Sequence, residues 1–258
     1  MDPLLFLTLV VGLLGLLFGS FANVCVHRIP LHISIISPRS RCPSCESPIV
    51  WYDNIPLISW LILGGKCRYC KATISSRYPI LELLMGVSWA SLTWYYGFSP
   101  LLLQALFLVS LLWILTLIDL ETGLLPNVLT FPGIVIGLGF SFWFGYFQDA
   151  VIGAVLGYGL FWLVARLFLL VTGREGMGYG DFKLLAMLGA FMGWQALPFI
   201  VFASSLAGSV VGILLLYRSH ENMRTEIPFG PYLAAAGMVW FLWGADILQW
   251  YAGLMRVG

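Results

Sequence analysis

Eight stretches of mostly apolar side chains, at residues 4–26, 80–98, 101–119, 125–146, 150–172, 182–195, 196–217 and 231–252, dominate this 258-residue chain. About 20 apolar residues cross a bilayer core of roughly 30 Å. A backbone in that core must satisfy its own hydrogen bonds, so segments of this kind are helices. Residues are 60% apolar and 10% charged, which excludes an ordinary soluble domain. The expectation is an all-α polytopic membrane protein of about eight transmembrane helices. Phe182 to Trp194 is short for a span, and the sixth stretch has three readings: tilted, re-entrant, or merged with the seventh across Pro198. Asp2 precedes the first stretch and Arg28 follows it, the reverse of a cleaved signal peptide, so it reads as a retained span.

Basic residues orient the spans. Arg28, Arg39, Arg41, Lys66, Arg68, Lys71 and Arg77 lie between the first two, and Arg166, Arg174, Lys183, Arg218 and Arg224 fall on loops and span ends that alternate to the same side. Only Arg256 falls opposite. By the positive-inside rule the N-terminus is outside, residues 28–78 are cytoplasmic, and the C-terminus returns outside. The net charge of +1 gives no footprint for a nucleic acid, and none is expected as a partner.

Residues 28–78 form the only sizeable polar insert, dividing the chain into a first span (1–27), the insert (28–78) and a larger membrane domain (79–258). Cys42-Pro43-Ser44-Cys45 and Cys67-Arg68-Tyr69-Cys70 are two CxxC pairs at close to the spacing of a four-cysteine zinc ribbon. Two disulfides are the alternative, but a cytoplasmic loop lies on the reducing side of the membrane. Four thiolates close the coordination sphere, so such a zinc is structural, and an insert this small has little core without it. Between the pairs, the aromatic segment 49–61 reads as an amphipathic piece on the headgroups, with Trp51, Tyr52 and Trp60 at the interface. Glu82, just inside the second span, is expected to pair with Arg77 or a knuckle arginine. Asn23 and its small neighbours Gly19 and Ser20 suit close packing and interhelical hydrogen bonds. Cys25 stands apart as a small buried residue.

Two acids break the apolar pattern. Asp119 ends the third stretch, and Asp181 opens the sixth within Gly176-Met177-Gly178-Tyr179-Gly180-Asp181-Phe182-Lys183. The topology puts both at the cytoplasmic end of the membrane. Three glycines in five residues let the backbone leave helical geometry there and bring other chain segments close, and the plainest alternative for Asp181 is a helix N-cap. Two carboxyls brought close do not both ionise readily, so one holds a proton while the other stays charged. Such a pair can deprotonate an attacking water and protonate a leaving amine, as in aspartic proteases. His27, His32 and His220 lie in or beside loops without a serine nucleophile. Glu121 is the nearest rival acid to Asp119. Paired acids also serve proton-coupled transporters, and a non-catalytic scaffold is the third class. The glycines of spans four and five (Gly133, Gly137, Gly139, Gly153, Gly157 and Gly159) read as helix contacts. Asp149 and Asp246 fall toward the outer face, and Glu226-Ile227-Pro228-Phe229-Gly230-Pro231-Tyr232 reads as a stiff cytoplasmic turn into the last span, placed to line the site from above.

The chain closely resembles the type IV prepilin peptidase family over nearly its whole length. The matching stretches are Phe18-Gly19-Ser20-Phe21 with Asn23, both CxxC pairs with Trp51 to Pro56 between them, and Ser76-Arg77-Tyr78-Pro79 with Glu82. Asp119 with Leu125-Pro126, Gly178-Tyr179-Gly180-Asp181 with Lys183, and Pro228-Phe229-Gly230-Pro231 complete the set. The resemblance implies a bifunctional enzyme of the bacterial inner membrane. It cuts the basic leader from type IV prepilins or type II secretion pseudopilins after a glycine at the cytoplasmic face. It then methylates the new N-terminal amine with S-adenosylmethionine. By the same resemblance Asp119 and Asp181 are catalytic, with Gly178, Gly180, Lys183 and Asn127 supporting. Cys42, Cys45, Cys67 and Cys70 hold zinc, and Gly65 is associated with methyl transfer. Many relatives carry an aspartate at Asn127, which here reads as a positioning residue. No Rossmann-type glycine fingerprint marks a nucleotide pocket, so the methyl-donor site stays unassigned, as do the choice between pilin and pseudopilin and the oligomeric state.

Overall fold

The computed structural model describes residues 2–174, 176–219 and 228–257. Among these the chain is helical: α1 (Pro3–Arg28), α2 (Ile58–Ile62), α3 (Arg77–Tyr96), α4 (Pro100–Thr122), α5 (Asn127–Phe144), α6 (Phe147–Thr172), α7 (Tyr179–Met192), α8 (Leu197–Ser219) and α9 (Gly230–Val257). The eight long helices coincide with the eight apolar stretches. Among the described residues six segments are long and apolar enough to cross a membrane: α1, α4, α5, α6, Trp194–Leu215 and Gly230–Gly253. α3 and α7 fall outside that set. His220, Arg224 and Glu226-Ile227, the first part of the stiff turn, lie outside the described residues.

The chain divides into two compact units, Met1–Ile114 and Leu115–Gly258. In the first, α1 and α3 lie in backbone contact. A Cβ on Gly19 would stand 2.7 Å from Glu82 Cα, and one on Gly15 would stand 2.9 Å from Met85 O. Asn23 Nδ2 donates across this seam to Tyr78 O at 3.1 Å, the interhelical bond expected of it. Gly19→Val is expected to destabilise the detergent-solubilised protein by about 1–3 kcal/mol through overpacking, read as a lower Tm in a thermal-shift assay. The indole of Trp89 donates to Ser110 Oγ and that of Trp113 to Ser88 Oγ, fastening the first part of α4 to α3.

The insert carries two knuckles of one design. Cys42 N–H donates to Ser47 O and Glu46 N–H to Cys42 O, while Cys67 N–H donates to Ala72 O and Lys71 N–H to Cys67 O. Isolated bridges Arg41–Pro48 and Lys66–Thr73 close the two turns. Glu46 and Lys71, each just after the second cysteine of its pair, both take positive φ. Arg68 pairs with Asp53 through both carboxylate oxygens, and this guanidinium holds the Asp53 carboxyl below the usual range. The segment between the knuckles is a 3₁₀ turn, Trp51–Asn54, followed by α2. Trp51 and Tyr52 are exposed. Trp60 departs from expectation: its ring lies over Gly65 and its Nε1 donates to Ile74 O at 3.2 Å, so it packs within the insert.

In the second unit α7 is the centre, with ten of its 14 residues buried. At 1.5 Å per residue it is about 21 Å long, too short to cross a full bilayer core. It neither merges with α8 nor continues past Gly193, whose φ of 79° ends it. Its apolar character on all sides fits a helix enclosed by others. A Cβ on Gly189 would meet the Gly153 backbone at 2.4 Å, one on Gly157 would meet Leu185 O at 2.8 Å, and one on Gly137 would meet the Phe191 ring at 2.7 Å. Gly137, Gly153 and Gly157 therefore admit α7 against α5 and α6, as expected. Gly139 and Gly159 have open space instead. At the far end of α7, Tyr146 Oη donates to Phe191 O at 2.8 Å and Trp194 Nε1 to Asp149 Oδ1 at 3.0 Å.

Candidate active site

Asp119 lies in the last turn of α4 and Asp181 in the first turn of α7, and both are buried, at 5% and 9% exposure. The two carboxylates are close enough to interact electrostatically. Asp181 is not the N-cap of α7. That position belongs to Gly178, and Asp181 sits at the third helical residue. Glu121, the rival acid, is exposed.

Asp119 is held from α9. Gly230 N–H donates to Asp119 Oδ2 at 2.9 Å, and a Cβ on Gly230 would stand 2.6 Å from the same oxygen. Leu125, buried after the turn that leaves α4, fills the angle between the elements. A Cβ on Gly180 would meet Leu125 Cβ at 2.7 Å, and one on Gly230 would meet Leu125 Cδ1 at 3.4 Å. Gly180 and Gly230 therefore bring two chain segments against one leucine and two acids. Gly180→Ala or Gly230→Ala introduces a methyl where carboxylate or leucine now sits. For Gly230→Ala we expect any activity that depends on Asp119 to fall about 10–100-fold, the scale of a 1 Å displacement at a reacting group. Normal thermal stability should accompany the loss, measured on the same preparation.

The glycines act here through close approach, not through unusual backbone geometry. None of Gly176, Gly178 and Gly180 has positive φ. Gly176 lies against the Phe168 ring, where a Cβ would meet Cδ1 at 2.4 Å. A Cβ on Gly178 would meet only Asp181 Oδ2 at 3.8 Å, and the packing gives no reason for a glycine there. Behind Asp181, Phe182 is buried against the rings of Tyr158, Phe161 and Tyr179, and Phe161 touches Phe229. This aromatic cluster joins α6, α7 and the approach to α9, and fixes the turn that presents Asp181. Lys183 Nζ donates to Asn127 Oδ1 and lies 5.7 Å from the centre of the Phe131 ring. The pair ties the first turn of α7 to the start of α5.

The four cysteines of the insert converge, with all four Sγ atoms within 4.8 Å of one another. Cys42 Sγ lies 3.8 Å from Cys70 Sγ, and Cys45 Sγ lies 4.0 Å from Cys67 Sγ. A tetrahedron with Zn–S bonds of ~2.3 Å has edges of about 3.8 Å. The set therefore fits a tetrahedral metal ion, and none of the four is in a disulfide. The hydroxyl and backbone of Ser47 pull the Cys45 thiol down to about 6. Backbone N–H groups of Cys70 and Tyr69 lower that of Cys67. Both favour the thiolate that a metal needs, whereas burial and the neighbouring thiols push Cys70 up to about 11, so the fit to a metal rests on the convergence of the four sulfurs.

The sequence points to both acids and all four cysteines, but not to Leu125 and Gly230 as the contacts that set Asp119. The expectation for Glu82 also fails. This carboxylate accepts from Leu57 N–H at 2.8 Å, not from an arginine. Gly65 has φ 66°, and a Cβ there would stand 2.9 Å from Trp60 Cζ2. A side chain at this position would displace the indole.

Two family models match the chain: the bacterial peptidase A24 N-terminal domain over residues 13–96 and the type IV leader peptidase family over residues 106–213. Among curated relatives, the prepilin leader peptidase/N-methyltransferase of Stutzerimonas stutzeri is 44% identical over 99% of this chain and 97% of its own length. That of Aeromonas hydrophila is 45% identical over 96% and 94%, and that of Pseudomonas aeruginosa is 44% identical over 93% and 91%. No solved structure matches the chain. Matches of this identity across nearly the full length, on a helical chain with two buried aspartates and a four-thiol cluster, show that the chain belongs to the type IV leader peptidase family.

Proposed function

We propose that this protein is a membrane aspartic endopeptidase that removes the leader from type IV prepilins or type II secretion pseudopilins after a glycine, and then methylates the new N-terminal amine. The observation that carries the peptidase half is that Asp119 and Asp181 are each buried at a different helix end, with Gly230 beside Asp119 and Gly180 beside Asp181 both packed on Leu125. Asp119 already accepts the Gly230 N–H, which suits it to carry the negative charge and act as general base. Asp181 then holds the proton that the pair retains. In the forward step Asp119 takes a proton from water as its oxygen attacks the scissile carbonyl. Asp181 donates first to the developing oxyanion and, through the pair, a proton reaches the leaving amine. Lys183 and Asn127 hold α7 against α5 beside the dyad, and Gly180 sets its approach to Leu125. Gly178 stays with this group as a supporting residue.

The peptidase is assigned to 79–258, after a first span (1–27) and a zinc-stabilised insert (28–78). Cys42, Cys45, Cys67 and Cys70 would hold a structural zinc, which takes no part in either reaction. S-adenosylmethionine would supply an electrophilic methyl group. No residue set is assigned to that donor, and Gly65 is tied to the activity through the position of Trp60. The skew of basic residues supports a multi-pass protein of the bacterial inner membrane with the N-terminus outside and the insert and dyad cytoplasmic.

The test is incubation of the purified, detergent-solubilised protein with a prepilin, followed by mass spectrometry of the product. A new N-terminus after the leader glycine, gaining a methyl-sized increment only when S-adenosylmethionine is added, is expected. No cleavage of any of several prepilins by folded protein would refute the reading.

A further inference from the structure

Among the described residues the first unit contains one buried acid, Glu82, at 7% exposure. Three segments far apart in sequence meet there. Gly19 brings α1 against Glu82 Cα, and Leu57 N–H donates to its carboxylate. Leu57 adopts φ 60°, ψ −51°, and Ile58 N–H donates to Pro56 O. This is a γ-turn of the rare positive-φ kind, unusual for a non-glycine residue. No cation pairs with the carboxylate among the described residues.

One turn away on the same seam lies a second unmet group. Asn23, 2% exposed, uses Nδ2 on Gly19 O and Tyr78 O, and its Oδ1 is buried without a hydrogen-bond partner. Tyr78 precedes Glu82 by one turn of α3, and Gly19, which lies against Glu82 Cα, precedes Asn23 by one turn of α1. A buried carboxylate without a counter-charge and a buried carbonyl oxygen without a donor are each costly. Water would satisfy the amide oxygen but not the charge. A group with several N–H donors and a positive charge satisfies both.

We propose that Glu82 and Asn23 form the receptor for the α-ammonium of the cleaved substrate in the methyl-transfer reaction, an inference that rests on the bifunctional reading above. An ammonium has no free electron pair and must lose a proton before its nitrogen can accept a methyl group. The Glu82 carboxylate takes that proton, with Leu57 N–H holding the carboxylate in place. Asn23 Oδ1 accepts a remaining N–H, which leaves the nitrogen lone pair directed away from the seam. The assignment gives Asn23 and Glu82 a shared task that helix packing alone does not explain.

The test uses the full-length protein in detergent and a peptide with the mature N-terminus, beside its N-acetylated twin, and needs no methyl donor for its binding arm. Wild type is expected to bind the free amine about 10–100-fold more tightly than the acetylated peptide, the worth of hydrogen bonds to a charged group. Glu82→Gln keeps an oxygen for Leu57 N–H but loses the charge. It should abolish that preference and cut methylation by a similar factor, while prepilin cleavage stays within about twofold of wild type. An unchanged preference in Glu82→Gln would overturn the proposal. So would cleavage falling in parallel with methylation, which would mark Glu82 as structural or as a contact for the basic leader. If Glu82→Gln accumulates poorly, Glu82→Asp keeps the charge and withdraws the carboxylate by one methylene. Reduced methylation with normal cleavage is then expected, and methylation equal to wild type would overturn the proposal. Because the binding arm does not depend on cleavage, its failure is distinguishable from failure of the peptidase reading.

Discussion

Asp119→Asn and Asp181→Asn should each reduce prepilin cleavage by at least about 10³-fold, within the range that a general acid or base supplies, while the protein stays folded. The substitutions are nearly isosteric. The amide introduced by Asp119→Asn would still offer an oxygen to Gly230 N–H, so the contact that fixes this turn survives. What is lost is the exchangeable proton or the charge, and the remaining carboxyl cannot serve as both base and acid. Glu121→Gln is the control. Its side chain is exposed, and cleavage within about threefold of wild type is expected. Retained processing by either aspartate variant, or loss in the Glu121 variant alone, would move the reaction to a different acid. Initial rates on a purified prepilin, with melting temperatures on the same samples, decide between these outcomes.

Replacing Cys42 and Cys45 together with Ser should remove bound zinc, from about one per chain to near none, and unfold the insert. Metal content by atomic spectroscopy and limited proteolysis of residues 28–78 would report the two effects. The reason is the size of the insert. Its two knuckles contribute only single bridges, and a structural zinc brings on the order of 10 kcal/mol of folding free energy to such a site. Undiminished metal content would remove the ribbon assignment. Intact proteolytic resistance without metal would show that Trp60, Ile74 and the Arg68–Asp53 pair hold the insert unaided.

The acids and thiols are legible in the sequence because each stands against its background. A carboxylate ending an apolar run is costly and therefore conspicuous, and paired CxxC motifs carry their own geometry. The helices follow from the same contrast. Less accessible are features that arise only when distant segments touch. Gly230 shares a turn with prolines, and nothing local says that its N–H faces Asp119. Leu125 looks like any leucine, yet it is the surface on which Gly180 and Gly230 close. Composition around Trp60 points to the interface, but a glycine at 65 and a carbonyl at 74 give its ring and N–H a place inside the insert. Charge alone matches Glu82 to arginines, whereas the γ-turn at Leu57 aims a backbone N–H at it. The likeness between the knuckles also escapes a search for sequence repeats. It lies in the backbone, with positive φ at Glu46 and Lys71 and matching hydrogen bonds, while the residues between the cysteines differ.

The central claim is that Asp119 and Asp181 act as one unit, and a double-substitution cycle tests it most directly. Cleavage rates would be measured for wild type, Asp119→Asn, Asp181→Asn and the variant carrying both. A functional pair predicts strong non-additivity, with the double variant no slower than either single one, because the first substitution already removes the shared proton chemistry. Rate losses that multiply, each partial and independent of the other, would contradict the dyad.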